Sequence, residues 1–315
     1  RSPAGHRFLP VERKQREIEA SEHDLGGAQD GELVRIAVRK VGRYREEGRV
    51  VERIGPVSSE KAVSMIALHA HGIPHVFPPV VLEAAEAAKP FSLRGRKGVE
   101  DWRDVPFVTI DPQDAKDHDD AVFARPDEDP ENPGGHVVLV AIADVARYVT
   151  PGSVLDREAL HRGNSVYFPD RVVPMLPERI SNDLCSLRAK AVRPALAVRM
   201  VFGADGRKRS HSFHRVAIRS AAKLAYAQAQ VAIDGAPDDV TGPLLEPVLE
   251  PLWAAYECLR RGREAREPLE LDLPERKIVL TPEGGIERVV IPERLDAHRL
   301  IEEFMIQANV AAAET

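Results

Sequence analysis

Apolar and polar residues alternate in three stretches near the start of the chain, at residues 7–11, 33–38 and 48–54. Alternation with a period of two predicts β-strands with one buried face, and glycine-rich segments between them supply the turns. Short strands in so few residues favour a small barrel, and an oligonucleotide-binding barrel is one candidate. We therefore assign residues 1–56 to a small all-β domain. Its strands are too few to close such a barrel, so we expect its first strand to be missing from the chain.

Two helical patterns follow and predict a connector over residues 57–98. Ser58-Ser59-Glu60 is a candidate cap for a helix through residues 64–68. Phe77-Pro78-Pro79 opens a second helix through residues 80–84.

Three histidines of this connector, His69, His71 and His75, invite interpretation as a metal site. Residues two apart in a helix do not share a face. We therefore do not favour a metal site at these histidines.

From Val105 onward, strand and helix patterns mix. Residues 106–110 have a strand pattern, and residues 136–143 are an unbroken apolar run, as in strands that are buried on both faces. Residues 197–202 and 212–216 flank an Asp205-Gly206 turn, which is a strong hairpin signal.

Helical patterns in the same region cover residues 222–232, 244–264 and 295–313. Strands and helices mixed in one large domain predict an α+β fold. We place this domain, with a mixed sheet and helices, at residues 99–315.

Composition narrows the class of protein. A chain of 315 residues is long enough for two or three domains. It has no apolar run long enough to cross a membrane, no signal-peptide pattern at its start, and only two widely separated cysteines. We therefore expect a cytoplasmic protein, monomeric and without a membrane partner.

The net charge of −6 argues mildly against binding to nucleic acid. The distribution of charge matters more, because residues 206–226 carry six basic residues and no acidic one. A local RNA-binding patch and a solvated basic surface are both consistent with this stretch.

The strongest chemical signal is a cluster of five aspartates within residues 111–120. Two carboxylates about 4 Å apart repel by roughly 4 kcal/mol at an effective dielectric constant of about 20. Several that converge cannot all stay ionised without a cation, and oxygen-only ligands favour a hard ion such as Mg²⁺ or Mn²⁺.

Two simpler interpretations of the cluster compete with a catalytic one. A calcium loop that starts at Asp117 fails, because Val122 stands where such a loop needs glycine. A solvated acidic loop is consistent with the composition alone. However, a strand pattern enters the cluster and apolar sequence resumes at Ala121, so we favour carboxylates that converge on a ligand.

The string Ile110-Asp111-Pro112-Gln113-Asp114-Ala115-Lys116-Asp117-His118-Asp119-Asp120-Ala121 resembles the catalytic signature of the ribonuclease II and ribonuclease R family. Residues 140–145, 162–169, 174–178, 181–187 and 298–305 are similar to later blocks of that family, in the same order. The resemblance covers nearly the whole chain. It implies a cold-shock-like RNA-binding domain followed by a catalytic RNB domain, both incomplete.

The resemblance also implies a function, which is hydrolysis of single-stranded RNA from its 3′ end to nucleoside 5′-monophosphates. Mg²⁺ would be the cofactor, and Mn²⁺ would be able to replace it. Catalysis would depend chiefly on Asp119, together with Asp120, and the metal would be held by Asp111, Asp117 and Asp120.

Residues expected to contact RNA come from several parts of the chain. By the resemblance, Tyr167 stacks on a base near the 3′ end, while Tyr226 and Glu302 contact sugars there and discriminate against DNA. Further candidates are Arg162, in the block at residues 162–169, and Arg215 and Arg219, in the basic stretch at residues 206–226.

Two departures from the family pattern bear on activity. Leu271 stands where the family usually has a phenylalanine opposite the clamp tyrosine. The family's later Ser-Pro-Ile-Arg-Arg-Tyr block, which supplies an active-site arginine, is not in the 315 residues, and neither is the S1 RNA-binding domain that follows it. We therefore expect a fragment with reduced activity. A DNA-directed phosphodiesterase and an inactive RNA-binding or scaffold protein remain alternatives.

Overall fold

The structure is a computed structural model that describes residues 5–11, 14–41, 45–57, 61–265, 276–281 and 285–315. The predicted cap at Ser58-Ser59-Glu60 lies outside the described residues. The chain divides into two compact units. Unit 1 contains residues 1–76, 165–173 and 276–291, and unit 2 contains residues 77–164, 174–275 and 292–315.

The strands, in chain order, are β1 (His6–Phe8), β2 (Ile18–Ala20), β3 (Glu32–Val41), β4 (Arg45–Pro56), β5 (Glu100–Asp101), β6 (Val108–Asp111), β7 (Asp120–Pro126), β8 (His136–Ala143), β9 (Val166–Tyr167), β10 (Val172–Val173), β11 (Val192–Phe202), β12 (Lys208–Arg219), β13 (Ala222–Ala225), β14 (Lys277–Leu280) and β15 (Ile286–Val290). The α-helices are α1 (Lys61–Ala70), α2 (Pro79–Glu86), α3 (Val154–Arg162), α4 (Tyr226–Ile233), α5 (Glu250–Glu264) and α6 (Asp296–Glu314).

Unit 1 is built on a four-stranded sheet of order β1-β2-β4-β3. Strands β3 and β4 form a long antiparallel hairpin, in which Glu32 pairs with Pro56 at one end and Val41 pairs with Arg45 at the other. Helix α1 lies against β4. Two small hairpins, β9–β10 and β14–β15, complete the described part of this unit.

Unit 2 is built on a seven-stranded mixed sheet of order β13-β6-β7-β8-β11-β12-β5. The outer pairs β13–β6 and β12–β5 are parallel, and the other neighbours are antiparallel. Helices α4, α5 and α6 pack on one face of the sheet, against residues such as Val140. Helices α2 and α3 and residues 176–187 pack on the other face, against residues such as Ala141. The α+β architecture agrees with the expectation from the sequence.

The apolar run at residues 136–143 is a central strand with helices on both faces, as predicted. The Asp205-Gly206 turn joins β11 to β12, as the hairpin signal indicated. Within the described ranges, no helix combines the length and the hydrophobicity that a membrane-spanning segment requires.

Two helix predictions need correction. Residues 222–225 form a strand, because they pair with β6 along a sheet edge, and the helix begins only at Tyr226. The predicted helix over residues 244–264 is regular only from Glu250, and Leu245–Leu249 form a π-helical turn before it. Pro247 and Pro251 lack the backbone N–H that a regular helix uses in this segment.

A close contact between two glycines joins the β11–β12 turn to α5. A Cβ atom added to Gly262 would lie 2.9 Å from the Cα, carbonyl carbon and carbonyl oxygen of Gly206. Backbone atoms at this distance cannot move aside as a flexible side chain would.

We expect Gly262→Ala to lower the free energy of unfolding by about 1–3 kcal/mol, the usual cost of overpacking. The loss should occur even though alanine is the better helix former by about 1 kcal/mol. Thermal and urea unfolding followed by circular dichroism would measure it. Gly242→Ala is the matched control, because its added Cβ meets no atom within 4 Å. Equal stability of the wild type and Gly262→Ala would show that this contact is unimportant.

Candidate active site

The aspartate cluster lies between two adjacent strands of unit 2. Strand β6 ends at Asp111, strand β7 begins at Asp120, and residues 112–119 form the loop between them. All four residues of β6 are buried, and Ala121 and the residue after it are buried at the start of β7. Core strands on both sides therefore hold the acidic loop, which argues against a freely solvated acidic segment.

The loop backbone is also anchored from neighbouring segments. The amide of Ala143, at the end of β8, donates to the carbonyl of Asp119 at 2.8 Å. The amide of His118 donates to Ser186 Oγ at 3.1 Å. From the other side, Lys223 Nζ donates to the carbonyl of Ala115 at 2.9 Å. These bonds set the position of the loop while leaving the carboxylates to other partners.

His118 is a site residue that reasoning from the sequence missed. Its ring is almost completely buried, and Nδ1 lies 2.8 Å from Oδ2 of Asp111. A carboxylate accepts, so Nδ1 carries the hydrogen in this bond. The bond orients the Asp111 side chain. Nothing in the sequence distinguished His118 as the partner of an aspartate seven residues earlier, because the two meet only when the loop folds back.

Two carboxyl groups of the cluster hold their protons more tightly than usual. Burial, followed by the negative charges of Asp111 and Asp119, raises the pKa of Asp120 to about 6. The pKa of Asp119 is also raised, by the surrounding protein atoms and then by the charges of Asp117 and Asp111. Asp119 is exposed to solvent at the surface of the loop.

The donor chemistry of the cluster fits a hard divalent cation, because every candidate ligand is a carboxylate. The geometry is open, however. In the parts of the chain that the structure describes, no three carboxylates of the cluster bring ligand atoms within 4.8 Å of one another. Like charges favour such a spread, and the bond to His118 holds one carboxylate aside. Binding of Mg²⁺ through Asp111, Asp117 and Asp120 would require the side chains to converge.

Tyr226 lies beside the aspartates, and the sheet register explains why. Strand β13 runs parallel to β6, with Ala225 opposite Asp111, so the next residue along each strand emerges at the same edge. Burial, followed by the negative charges of Asp120 and Asp111, raises the pKa of the Tyr226 hydroxyl to about 12. Tyr226 therefore lies next to the acidic cluster in the structure.

An open cleft of about 390 Å³ adjoins this edge. It is lined by one loop residue and by residues on either side of Tyr226, namely Gln113, Lys223, Ala225, Ala227 and Gln228.

Helix α6 supports Tyr226 from behind. The His298 ring stacks on the tyrosine ring, with centroids 4.0 Å apart. Glu302, the predicted sugar contact, is 40% exposed on this helix and forms an ion pair with Arg294. The neighbouring Glu303 is buried instead and accepts from Arg263 Nη1 at 3.2 Å. Glu302, and not Glu303, is therefore the carboxylate that solvent or a ligand can reach.

The three arginines predicted to contact RNA differ in their surroundings. The side chain of Arg162 is 2% exposed, donates to Glu158 at 2.8 Å and lies 3.5 Å above the Phe77 ring, so it serves the packing of unit 2 in this structure. Arg215 and Arg219 are 58% and 48% exposed on β12.

Both β12 arginines have acidic partners. Arg215 donates to Asp144 at 2.8 Å, and Arg219 lies 3.8 Å from Asp104. An RNA phosphate would have to compete with these carboxylates.

Tyr167 lies in unit 1, at the end of β9, and is 69% exposed. Its exposure is consistent with a stacking surface for a base. The stretch Glu270–Glu275, which contains Leu271, lies outside the described residues.

Comparison with known proteins connects both units to one family. The RNB domain profile matches residues 99–315, and a cold shock domain profile matches residues 11–78. Ribonuclease R of Vibrio parahaemolyticus is 38% identical over 299 residues, which are 93% of this chain and 35% of that protein. The chain thus spans about a third of the length of the curated relatives that it matches.

Solved structures share the fold. The structure of Mycoplasma genitalium RNase R in complex with ribose-methylated single-stranded RNA has a TM-score of 0.84 and 24% identity, over 93% of this chain and 45% of that one. Yeast Ssd1, described as a pseudonuclease, has a TM-score of 0.67 and 16% identity, over 98% of this chain and 39% of that one. The fold alone therefore does not decide between an active and an inactive protein. Because the RNB profile covers more than half of its residues, the chain belongs to the RNB-domain family, to which its aspartate signature pointed.

Proposed function

We propose that this chain carries the hydrolytic centre of a metal-dependent 3′-to-5′ exoribonuclease that degrades single-stranded RNA to nucleoside 5′-monophosphates. The observation that carries the proposal is the meeting of Asp111, Asp119 and Asp120 with Tyr226 at one edge of the mixed sheet. Family membership and the ribonuclease R relatives support the same reaction.

The aspartates provide the chemistry in this proposal. Asp111, Asp117 and Asp120 would hold Mg²⁺, or Mn²⁺ in its place, through carboxylate oxygens. A bound divalent ion would activate water and stabilise negative charge on the scissile phosphate. Asp119 is exposed to solvent, and in this proposal its carboxylate would orient the attacking water and accept its proton.

The surrounding residues would position the RNA. The Tyr226 hydroxyl, kept protonated by its raised pKa, offers a hydrogen-bond donor to a ribose near the 3′ end. Tyr167 would stack on a base without regard to sequence, a contact that contributes about 1–3 kcal/mol per base. Glu302, Arg215 and Arg219 are exposed groups that would contact the sugar-phosphate backbone. Because Arg162 is buried, we assign it to the fold and not to RNA binding.

An inactive RNA-binding or scaffold protein is the alternative, and one experiment separates the two. The 315-residue chain, in enzyme excess, would be incubated with uniformly labelled single-stranded RNA or DNA, with Mg²⁺ or with EDTA. We expect Mg²⁺-dependent release of nucleoside 5′-monophosphates from RNA and not from DNA. Asp119→Asn should remove most of this hydrolysis, with RNA affinity equal or higher because one negative charge is lost.

Asp114→Asn is the matched control for that experiment, because Asp114 lies in the same loop but outside the proposed catalytic set. RNA binding without any monophosphate release would favour the inactive alternative. Hydrolysis by Asp119→Asn at the wild-type rate would contradict the assigned role of Asp119.

The raised pKa of Asp120 predicts that, without metal, ionisation of this carboxyl lowers the free energy of unfolding; this is the cost of Asp120 to stability. The folded state binds this proton more tightly than the unfolded chain, with a pKa of about 6 against 3.8. The cost is therefore absent at low pH and grows as pH rises from about 4 to about 6, up to about 3 kcal/mol. In EDTA at pH 7.5, we expect Asp120→Asn to unfold at a higher temperature than the wild type.

The difference between Asp120→Asn and the wild type should shrink as the pH falls to about 4. Added Mg²⁺ should stabilise the wild type more than the variant, because the cation needs the carboxylate that the variant lacks. Asp114→Asn should follow the wild-type profile. If the unfolding temperatures of Asp120→Asn and the wild type changed with pH in parallel, ionised Asp120 would not lower the stability of the fold.

Sugar discrimination provides a separate test of Tyr226. Tyr226→Phe keeps the ring that stacks on His298 and removes only the hydroxyl. We expect the ratio of RNA to DNA affinity, measured by fluorescence anisotropy with Mg²⁺ replaced by EDTA, to fall several-fold, in line with one lost hydrogen bond of about 1 kcal/mol. Tyr256→Phe is the control, because this tyrosine is buried in the core. An unchanged ratio would exclude the Tyr226 hydroxyl as a sugar contact.

A further inference from the structure

A second group of metal-ligating side chains lies in unit 1, separate from the aspartates. Glu52 on β4, His69 near the end of α1 and His75 in the following loop bring one ligand atom each within 4.8 Å of the others. Among the described residues, these three form the one group of three or more metal-ligating side chains whose ligand atoms all lie this close together. The three residues are 17 and 6 positions apart in the chain, and the fold alone brings them together.

The histidine cluster could not be judged correctly from helix geometry. Helix α1 ends at Ala70, so His75 lies outside the helix and helical spacing does not limit its approach to His69. The turn at residues 71–74 returns the chain, and the His75 ring meets the His69 ring edge-on with centroids 5.1 Å apart. His71 is exposed and is not part of the group.

The ring nitrogens are arranged as metal ligands usually are. His75 Nδ1 lies 3.4 Å from the carbonyl of Ile73, an interaction that would orient the ring and leave Nε2 as the ligand atom. His69 Nε2 is inaccessible to solvent and has no hydrogen-bond partner among the described residues. It lies 4.0 Å from Oε2 of Glu52, too far for a hydrogen bond.

A buried nitrogen that faces a carboxylate across 4.0 Å is unsatisfied as it stands. Ligand atoms of a tetrahedral Zn²⁺ site are about 3.3 Å apart, given metal–ligand distances of about 2.0–2.1 Å. Small rotations of the three side chains would therefore close the group around an ion.

The charges around the group are compatible with a cation. Glu52 also accepts from Arg35 Nε at 3.0 Å, which uses one of the several lone pairs of its carboxylate. The side chains of Glu52 and His69 are 35% and 22% exposed, so the group lies near the surface although His69 Nε2 itself is covered.

We propose that Glu52, His69 and His75 bind one Zn²⁺ ion, with solvent at the remaining position. Two imidazoles and one carboxylate form a donor set that zinc favours over Mg²⁺. The ion would tie β4 to the end of α1 and to the loop that follows it, and so fasten the cold-shock-like sheet to its helix. This site does not depend on the proposed nuclease activity.

The test is a competition titration on the tag-free 315-residue chain, stripped with EDTA and returned to buffer with excess Mg²⁺. Zn²⁺ would be added in the presence of a chromophoric chelator, and Co²⁺ would serve as a spectroscopic probe. We expect one equivalent of Zn²⁺ to bind and to raise the melting temperature. His69→Ala, His75→Ala and Glu52→Gln should each weaken binding at least tenfold.

His71→Ala is the matched control and should bind Zn²⁺ as the wild type does. Asp120→Asn should also leave Zn²⁺ binding unchanged, because the aspartates belong to the other cluster. Circular dichroism would confirm that each variant folds. If His69→Ala fails to fold, His75→Ala still tests the proposal, because His75 lies in a loop. Equal affinity in the wild type and His75→Ala, or a loss of Zn²⁺ binding in Asp120→Asn, would overturn the proposal.

Discussion

Repulsion among the aspartates is the unfavourable interaction that the fold of unit 2 has to offset. An acidic loop would relieve this repulsion by moving into solvent, yet Asp111 and Asp120 are the last and first residues of buried strands. The loop between them is pinned through Ala143 and Ser186. The stability of the seven-stranded sheet therefore maintains an unfavourable arrangement of charge, which is the arrangement that a divalent cation would relieve.

The same sheet decides what stands beside the aspartates. Parallel pairing of β13 with β6 brings Tyr226 to the edge where Asp111 emerges, and α4 begins there. A helix at residue 222, as the periodicity suggested, would have removed the strand that creates this register. Position within the site is thus a property of strand pairing, and the stacking of His298 on Tyr226 secures it from α6.

Reasoning from the sequence was most successful where a signal is local. The central strand over residues 136–143 and the Asp205-Gly206 hairpin follow from apolar runs and turn chemistry, and the aspartate signature indicated the family. Reasoning from the sequence failed where the interacting residues are distant in the chain. The strand at residues 222–225 forms because it pairs with β6, and His118 belongs to the site because it bonds to Asp111. Arg162 was assigned to RNA because its burial against Phe77 depends on tertiary packing. The roles of the site residues in catalysis and RNA binding remain predictions.

The two clusters differ in the way that their ligands are prepared for an ion. Glu52, His69 and His75 include only one carboxylate, so their ligand atoms can lie within 4.8 Å of one another without repulsion between carboxylates. The aspartates cannot do this, because each one added raises the cost of keeping the others ionised. A group with a single carboxylate can therefore bring its ligand atoms close together before an ion binds. A group of carboxylates stays spread until a cation offsets the repulsion among its members.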